Sequence, residues 1–206
     1  MSKFITIEGN EGVGKSTAIV FIDSYLTQLN IPHRLTREPG GTPFAEEIRQ
    51  LLTEHHDEPV AYKTELLLFF AARSQHIEAL IKPTLATGRW VICDRFTDSR
   101  YAYQGAGRGV PDVDIAVLER WIQQDFVPHK TILLDAPVEL TYARTQKRGK
   151  LDRIETEEVS FFERVRDCYL WRAKQYSDRY VIIDASVSLE EVQQQLRLVL
   201  DNLCKT

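Results

Sequence analysis

The sequence is poor in cysteine, with only Cys93, Cys168 and Cys204 among its 206 residues. These cysteines are far apart and odd in number, a pattern typical of neither a disulfide framework nor a zinc site. Disulfides persist in oxidising compartments, whereas free thiols are usual in reducing ones. We therefore expect a cytoplasmic protein.

Long hydrophobic runs and an excess of positive charge are also missing. No apolar stretch reaches the roughly 20 residues that a membrane-spanning helix needs, and the chain enters a predicted strand without a signal-peptide pattern. The formal net charge is −4, which argues against general affinity for nucleic acid. We therefore expect neither a membrane nor a nucleic-acid partner.

The chain contains no internal repeat, low-complexity tract or linker, so its 206 residues are expected to form one domain, 1–206. Apolar segments alternate with helical patterns at 3–8, 33–37, 89–93, 130–135 and 179–184. Strands that alternate with helices indicate βαβ units, hence a parallel sheet covered by helices on both faces. The sequence predicts an α/β fold with a five-stranded parallel sheet.

The first predicted strand leads directly into a glycine-rich loop. Residues 9–16 have the spacing G-x-x-x-x-G-K-S, and helical periodicity follows them. A strand, this loop and a helix in succession form the phosphate-binding loop (P-loop) of nucleoside triphosphate enzymes. The glycines let backbone N–H groups converge on one anion, and the helix N-terminus adds partial positive charge. The predicted triphosphate site comprises Gly9, Asn10, Glu11, Gly12, Val13, Gly14, Lys15, Ser16 and Thr17.

Oxygen ligands for a metal ion are predicted beside this loop. The Ser16 hydroxyl is placed to ligate Mg²⁺, while Lys15 reaches the β- and γ-phosphates. Another apolar strand ends in Asp94, and P-loop enzymes use a carboxylate in this position to hold Mg²⁺ or its water shell. The sequence therefore predicts Mg²⁺ as a cofactor, held by Ser16 and Asp94.

Two arginines are expected at the same edge of the sheet. Arg37 lies in the stretch 36–43, and Arg95 follows Asp94 directly. A turn alone explains the Pro-Gly-Gly sequence of 36–43. A cation at the carboxyl edge of a parallel sheet also suits an anionic ligand. The local pattern leaves both interpretations of Arg37 open.

A helix is predicted over residues 63–82, and it is apolar on nearly every face. Phe69 and Arg73 lie one turn apart on it. They could bracket a planar base, the ring by stacking and the guanidinium by hydrogen bonding. The alternative is a core phenylalanine beside an ion-paired arginine, and the local pattern alone favours this alternative.

Two further stretches suggest contacts with a ligand. Residues 98–109 are rich in hydrogen-bonding and aromatic side chains, and we expect an ordered, ligand-binding loop. Arg144 and Arg148 share one face of a predicted helix, and Arg153 follows a glycine. A solvated basic face would explain these charges. A lid over about 142–156 explains them better, because its closure excludes water and brings cations to phosphates.

The number of predicted cations favours a kinase whose acceptor already carries a phosphate. Two anionic phosphates repel each other, so holding them in line requires guanidinium groups on both sides of the reacting centre. An acceptor oxygen that carries negative charge needs no general base. The sequence also lacks an N-K-x-D motif of the kind that reads the base in GTP switches.

Five motifs together resemble thymidylate kinase (dTMP kinase) of the bacterial type. In order along the chain they are I-E-G-N-E-G-V-G-K-S, T-R-E-P-G-G-T, L-L-F-F-A-A-R-S-Q-H, D-R-F-T-D-S-R-Y-A-Y-Q-G-A-G-R-G and R-G-K-L-D-R-I-E. The resemblance implies a P-loop fold of the nucleoside monophosphate kinase type and a homodimer. It also implies transfer of the γ-phosphoryl group from ATP to dTMP.

The resemblance further implies roles for individual residues. Phe69 would stack on thymine, Arg73 would hydrogen-bond the base, and Tyr103 would lie beside the deoxyribose. Arg37 and Arg95 would hold the dTMP phosphate. The implied dTMP site comprises Glu11, Arg37, Phe69, Arg73, Arg95, Ser99, Arg100, Tyr103 and Gln104.

The P-loop contains no arginine, so the chain resembles family members whose catalytic arginine lies in the lid. Arg144 would lie near the adenine of ATP. Arg100 stands where the family usually has a small polar residue that contacts thymine. A kinase for another deoxynucleoside monophosphate is therefore the nearer alternative, and a P-loop regulatory ATPase the more distant one. The implied catalytic residues are Lys15, Arg95, Arg148 and Arg153.

Overall fold

The computed structural model describes residues 1–147 and 156–205. In this part of the chain, one parallel sheet has the strand order β2-β3-β1-β4-β5. This arrangement confirms the predicted sheet, and each strand begins and ends at or next to the predicted residue. The strands are β1 Phe4–Glu8, β2 His33–Arg37, β3 Trp90–Asp94, β4 Lys130–Asp135 and β5 Tyr180–Asp184.

Helices connect the strands. They are α1 Lys15–Gln28, α2 Pro43–Thr53, α3 Tyr62–His76, α4 Lys82–Ala86, α5 Thr97–Ser99, α6 Asp112–Gln123, α7 Val138–Lys147, α8 Val159–Gln175 and α9 Leu189–Lys205. Two π-helical segments, Ile77–Ile81 and Arg100–Gly107, follow α3 and α5.

Both faces of the sheet are buried, as predicted. Side chains of a strand alternate between its two faces. In β1, Ile5 and Ile7 belong to a core cluster that includes Ile22 of α1 and Leu196 of α9. Phe4 of the same strand packs on the opposite face in another cluster. The continuous apolar strands therefore reflect burial on two sides rather than one.

Two predicted elements differ in detail from the structure. The helix predicted over 63–82 is α3 continued through the π-helical turn Ile77–Ile81 into α4. Residues 98–109, predicted as a loop, are instead mostly helical: α5 and the π-helical segment Arg100–Gly107. That segment is nearly all buried, so its backbone polar groups need partners within the chain, and helical hydrogen bonds supply them.

The strand register brings the polar residues of three strands to one edge. Arg37 of β2 is paired in register with Asp94 of β3, and Asp94 with Ile7 of β1. Glu8, the last residue of β1, follows Ile7 directly in the sequence. The carboxyl ends of the central strands, the start of α1 and the segment after β3 therefore converge on one place, where ligands of open α/β sheets bind.

A buried ion cluster anchors the segment after β3. Asp98 is fully buried, and its oxygens accept hydrogen bonds from Arg172 Nε at 2.7 Å and from Arg179 Nη1 at 2.6 Å. Burial alone raises the pKa of a carboxyl, but the two arginines outweigh it and lower the pKa of Asp98 from 3.8 to about 2. The cluster ties the residues after β3 to α8 and to the start of β5.

We predict that Asp98→Asn lowers the free energy of unfolding by about 3 kcal/mol at pH 7, because two arginines lose their shared buried carboxylate. The depressed pKa also makes the wild type lose about 2 kcal/mol as the pH falls from about 4 towards 2, where the folded protein must protonate Asp98. Urea unfolding across this range measures both effects.

Asp178→Asn is the control, because it changes an exposed carboxylate and should keep the wild-type stability and pH profile. An Asp98→Asn variant that also kept them would contradict the proposed anchoring role of Asp98.

Candidate functional site

A cavity of about 500 Å³ opens at the carboxyl edge of the sheet. The structure brings most of the predicted site residues together on its wall. They are Glu11, Gly12, Gly14, Lys15, Ser16, Arg37, Phe69, Asp94, Arg95, Arg100, Tyr103 and Arg144. We call this space the first cavity.

A second cavity of about 390 Å³ lies on the other side of the P-loop, the segment Gly9–Ser16. Its wall includes the predicted residues Val13 and Thr17 together with side chains of α9. The two cavities share Gly12, Gly14 and Arg144. A ligand on the P-loop can therefore face both spaces.

The remaining predicted residues take other positions. Gly9 and Asn10 present their carbonyl oxygens to Lys15. Arg73, Ser99 and Gln104 are buried and are not part of the wall of the first cavity. Arg148 and Arg153 lie outside the described residues, as does most of the predicted lid.

Lys15 is folded back into the P-loop. Its Nζ donates hydrogen bonds to the carbonyl oxygens of Gly9 at 3.1 Å and Asn10 at 2.9 Å, and only 7% of the side chain is exposed. Burial, followed by the nearby Arg95, lowers the pKa of Lys15 below its ordinary value of 10.5. A phosphate placed beside this ammonium would favour its charged form, since an adjacent anion raises the pKa of a cation.

Arg95 is on the wall of the first cavity. Its Nη2 donates hydrogen bonds to Glu11 Oε1 and to Tyr103 Oη, and its guanidinium lies 4.6 Å from the centre of the Tyr103 ring. Burial disfavours the charge, but Glu11 and two tyrosines outweigh it and raise the pKa of Arg95 well above its ordinary value. Arg95 therefore stays a cation, and hydrogen bonds to the protein hold its Nη1 and Nη2 in place.

The backbone of Arg95 is in the left-handed region, with φ of 67°. This conformation is uncommon for a residue with a Cβ and costs of order 1 kcal/mol or more. The contacts of the guanidinium with the surrounding side chains hold it in place. Strain of this kind is concentrated at functional sites, which supports a functional role for Arg95.

A buried polar network lies behind Arg95. Glu8 accepts hydrogen bonds from Ser99 Oγ at 2.6 Å and from Tyr169 Oη at 2.8 Å. Arg95 Nη1 in turn donates to Tyr169 Oη at 3.1 Å. Burial and the negative charge of Asp98 raise the pKa of Glu8. This network fixes the guanidinium from behind, so Ser99 contacts Arg95 rather than the cavity.

Arg37 lies at the mouth of the first cavity, and more than half of its side chain is exposed. Its Nη2 donates a hydrogen bond to Glu46 Oε2 at 2.9 Å. Glu46 belongs to the first turn of α2, which begins at Pro43 with Thr42 as its N-cap. The stretch 36–43 thus forms a structural turn and also carries the Arg37 cation at the edge of the cavity. The structural and the ligand-binding interpretations of Arg37 are therefore compatible.

Arg73 is buried in an ion-paired cluster, with its guanidinium 4.9 Å from the centre of the Phe70 ring. Its Nη2 lies 2.7 Å from Glu38 Oε2, and its Nη1 donates to Gln123 Oε1 at 3.2 Å. Burial raises the pKa of Glu38, but Arg73 and His76 outweigh it and bring that pKa below its ordinary value. Arg73 is therefore ion-paired and Phe69 lines the first cavity, while the contact of Arg73 with a base stays a prediction.

The residues predicted to hold Mg²⁺ fit that ion. Ser16 and Asp94 both line the first cavity, and Asp94 Oδ1 is buried without a hydrogen bond to any described residue. Residues 1–147 and 156–205 contain no group of three or more His, Cys, Asp or Glu that could hold a metal. Mg²⁺ suits such a sparse site, because it binds one or two carboxylates together with waters and phosphate oxygens.

Five residues on the wall of the first cavity are not predicted from the pattern. Glu38 and Pro39 follow Arg37 directly in the stretch 36–43, so their position in the sequence could have indicated that they reach the cavity. The other three come from helices: Arg49 and Thr53 from α2, and Thr145 from α7. Arg49 and Thr53 lie in no predicted motif, and the packing of α2 against α3 positions them. Thr145 is next to the predicted Arg144, which offered a signal.

The described residues contain no helix that is long and apolar enough to cross a bilayer.

The three cysteines are free, and Cys93 is buried.

The P-loop packs directly on α7. Gly12 has φ of +71°, and a Cβ added to it would lie 2.2 Å from Thr141 O and 2.5 Å from Thr145 Oγ1. Gly14 has φ of +103°, but no described heavy atom lies within 4 Å of the Cβ position there. Gly12 is therefore required both by backbone conformation and by the close approach of α7, whereas Gly14 is required by conformation alone.

We predict that Gly14→Ala lowers the free energy of unfolding by about 1–2 kcal/mol, the usual cost of a left-handed residue with a Cβ. Gly12→Ala should cost about 1–3 kcal/mol more, because α7 must also move away from the new methyl group. Urea unfolding without nucleotide compares the two variants directly. Equal losses in both would show that α7 does not hold the P-loop at Gly12.

Comparisons with known proteins agree over nearly the whole chain. The family model described as thymidylate kinase matches residues 7–196. The thymidylate kinase of Vesicomyosocius okutanii is 53% identical over 201 residues, which cover 98% of both chains. That of Alcanivorax borkumensis is 50% identical and covers 98% of this chain and 97% of the relative. The crystal structure of thymidylate kinase from Ehrlichia chaffeensis has a TM-score of 0.77 at 34% identity, covering 97% of this chain and 98% of that one.

Proposed function

The chain belongs to the thymidylate kinase family, and we propose that its two cavities hold the two nucleotides of the reaction on either side of the P-loop. The reaction is the transfer of the γ-phosphoryl group of ATP to dTMP, which gives dTDP and ADP. One observation carries the assignment of the cavities: they meet at Gly12, Gly14 and Arg144. A phosphoryl group at that junction can pass from one nucleotide to the other.

We assign dTMP to the first cavity. Phe69 offers an aromatic face to the base, and Tyr103 lies where it can pack beside the deoxyribose. Arg37 and Arg95 supply guanidinium groups to the phosphate. Glu11 and Arg100 are also on this wall. We assign Arg73, Ser99 and Gln104 to the layer behind that wall, where Ser99 accepts a hydrogen bond from Arg95, and Arg73 and Gln104 donate to Glu38 and Glu65.

ATP is assigned to the P-loop and the second cavity. Its phosphates would lie on the N–H groups of residues 9–17 with Lys15 beside them. Its adenine would enter the space bounded by Thr17, Arg144 and the side chains of α9. Arg148 and Arg153 are proposed as the cations of a lid at about 142–156, which would close on the phosphates within the single domain 1–206.

Mg²⁺ is the proposed cofactor, with Ser16 and Asp94 as its protein ligands. The ion would neutralise charge on the phosphates and hold them in line. Lys15 would bind the phosphates of ATP through its ammonium group. Arg95 would bind the phosphate of dTMP through its guanidinium group. No side chain has to take a proton from the acceptor, because a phosphate oxygen is already anionic.

A P-loop regulatory ATPase is the less favoured function. A switch protein needs a triphosphate site but no second pocket with an aromatic face and arginines. The first cavity provides both features in Phe69 and Arg95. The relatives also do not favour a kinase for another nucleoside monophosphate, because their names specify thymidylate.

We also propose a homodimer in the cytoplasm. Val113, Val117 and Trp121 form an exposed stripe along α6, and Trp121 is 76% exposed. Leu67, 55% exposed, lies on α3, which packs against α6. A second copy of this chain is the proposed occupant of this face, in keeping with the resemblance to dimeric kinases. The free cysteines support a reducing compartment.

A coupled assay of ADP release tests the function. With ATP and Mg²⁺ we expect fast release with dTMP, slower release with dUMP, and almost none with dCMP, dGMP, dAMP or UMP. The base must fit one aromatic pocket, and Tyr103 should exclude a 2′-hydroxyl. ADP release that is the same with every acceptor would leave only an ATPase.

The dimer is tested by analytical ultracentrifugation. We predict that Trp121→Glu shifts the protein to a monomer, because a charge would be buried in an apolar interface. Trp171→Glu is the matched control, since Trp171 is 54% exposed on α8 and lies outside the proposed face. A wild-type monomer, or a Trp121→Glu dimer of unchanged strength, would contradict the proposal.

A further inference from the structure

Tyr169 of α8 contacts two wall residues of the first cavity without being part of the wall. Only 1% of Tyr169 is exposed. Its hydroxyl accepts a hydrogen bond from Arg95 Nη1 at 3.1 Å. Its ring centre is 6.4 Å from that of Tyr103, with 76° between the ring planes, which is a favourable edge-to-face contact. One buried side chain therefore touches both the residue assigned to the acceptor phosphate and the residue assigned to the deoxyribose.

The two terminal nitrogens of Arg95 have different surroundings. Nη2 donates to Glu11 and Tyr103, which are both on the wall of the first cavity. Nη1 instead lies within hydrogen-bond distance of three acceptors, which are Gly9 O at 3.0 Å, Tyr169 Oη at 3.1 Å and Ser99 Oγ at 3.3 Å. Nη1 therefore anchors the guanidinium to the protein, and this anchorage sets the direction in which Nη2 points.

Glu8 sets the orientation of the Tyr169 hydroxyl. The hydroxyl donates its hydrogen to Glu8 Oε2 at 2.8 Å, and Glu8 is fully buried. Burial raises the pKa of Tyr169 well above its ordinary value of 10.0, so the hydroxyl keeps this hydrogen. A hydroxyl has one hydrogen and two acceptor lone pairs. Because the hydrogen points to Glu8, the lone pairs are left for Arg95.

The ring of Tyr169 also restricts Tyr103. Tyr103, Tyr169 and Phe161 belong to one buried apolar cluster, and the Phe161 ring contacts Tyr103 edge-on at 6.0 Å between ring centres. The Tyr103 hydroxyl accepts a hydrogen bond from Arg95 Nη2 at 2.8 Å. Close-packed rings leave a side chain little room to move. The position of Tyr103 against a sugar therefore depends on the rings that pack against it.

We propose that Tyr169 is a positioning residue for the acceptor nucleotide. Its hydroxyl sets the affinity for the acceptor phosphate through Arg95, and its ring sets the discrimination against a 2′-hydroxyl through Tyr103. The proposal rests on the assignment of dTMP to the first cavity. The two contacts use different atoms of one side chain, so each can be tested by its own substitution.

Tyr169→Phe removes the hydroxyl and keeps the ring. Calorimetric titration compares dTMP with thymidine, which differ only in the phosphate. We expect the ratio of the thymidine Kd to the dTMP Kd to fall by at least about fivefold, because Arg95 is less well oriented for an anion. Effects on the base and the sugar are common to both ligands and cancel in this ratio. The ratio of kcat/KM for dUMP to that for UMP should stay within about twofold of the wild type.

Tyr169→Leu removes the ring as well. We expect this variant to lower the ratio of kcat/KM for dUMP to that for UMP by at least about fivefold, because Tyr103 gains room to move away from a 2′-hydroxyl. The two acceptors carry the same base and the same phosphate, so the effect on Arg95 cancels in this ratio.

Tyr101→Phe is the matched control. Tyr101 is also a buried tyrosine whose hydroxyl donates to a carboxylate, that of Glu119, and it is not on the wall of the first cavity. This variant should lower the free energy of unfolding in urea but leave both ratios unchanged. A loss of stability alone would therefore not reproduce the effects expected of the Tyr169 variants.

The outcomes separate this proposal from the proposed function. A Tyr169→Phe variant with the wild-type ratio of thymidine to dTMP affinity would overturn the role of the hydroxyl. Tyr169→Phe deletes a single oxygen, so this result does not depend on how well the leucine variant folds. A Tyr169→Leu variant with the wild-type ratio of dUMP to UMP would overturn the role of the ring. A wild type that transfers no phosphoryl group to dTMP would overturn the proposed function itself.

Discussion

The site depends on holding a buried guanidinium at the carboxyl edge of the sheet. Arg95 is charged, largely removed from water and in a strained backbone conformation, and each of these features is unfavourable in isolation. Hydrogen bonds from its guanidinium to Glu11, Tyr103 and Tyr169 compensate for them. The resulting cation is fixed before a ligand arrives, and a fixed donor loses little entropy when an anion binds.

The same principle organises the surroundings of Arg95. Glu38 pairs with the buried Arg73, and Asp98, in the segment after β3, is shared by Arg172 and Arg179. These buried carboxylates allow a cation-rich site in a chain whose formal net charge is −4. Arg100 is the exception on the cavity wall, since its buried Nε and Nη1 have no partner in the described part of the chain.

Much of this arrangement can be predicted from the sequence because it depends on local pattern. The P-loop, the five strands and the strand-end Asp94 are each encoded within about ten neighbouring residues, and the parallel order follows from βαβ connections. The Phe69 and Arg73 pair shows where local pattern is insufficient. Their spacing suits either a base pocket or an ion pair, and the choice depends on Glu38, which is distant in sequence.

Other features depend on contacts between distant elements. Tyr169 reaches Glu8 from 161 positions along the chain, and no motif around it predicts this contact. The helical form of residues 100–107 could not be predicted, because glycine, tyrosine and glutamine there suggest a loop and only burial favours internal hydrogen bonds. Sequence also gives no indication that α7 touches Gly12, since that contact follows from how the helix packs on the sheet.

The central claim is that the first cavity is a preorganised receptor for a nucleotide phosphate. Isothermal titration calorimetry of dTMP and of thymidine tests it most directly, since the two ligands differ only in the phosphate. Charge-assisted hydrogen bonds are worth about 1.5–3 kcal/mol each, so we predict that dTMP binds at least about a hundredfold more tightly than thymidine. Equal affinities would contradict the account, because the phosphate would then gain nothing from Arg95 and its supporting network.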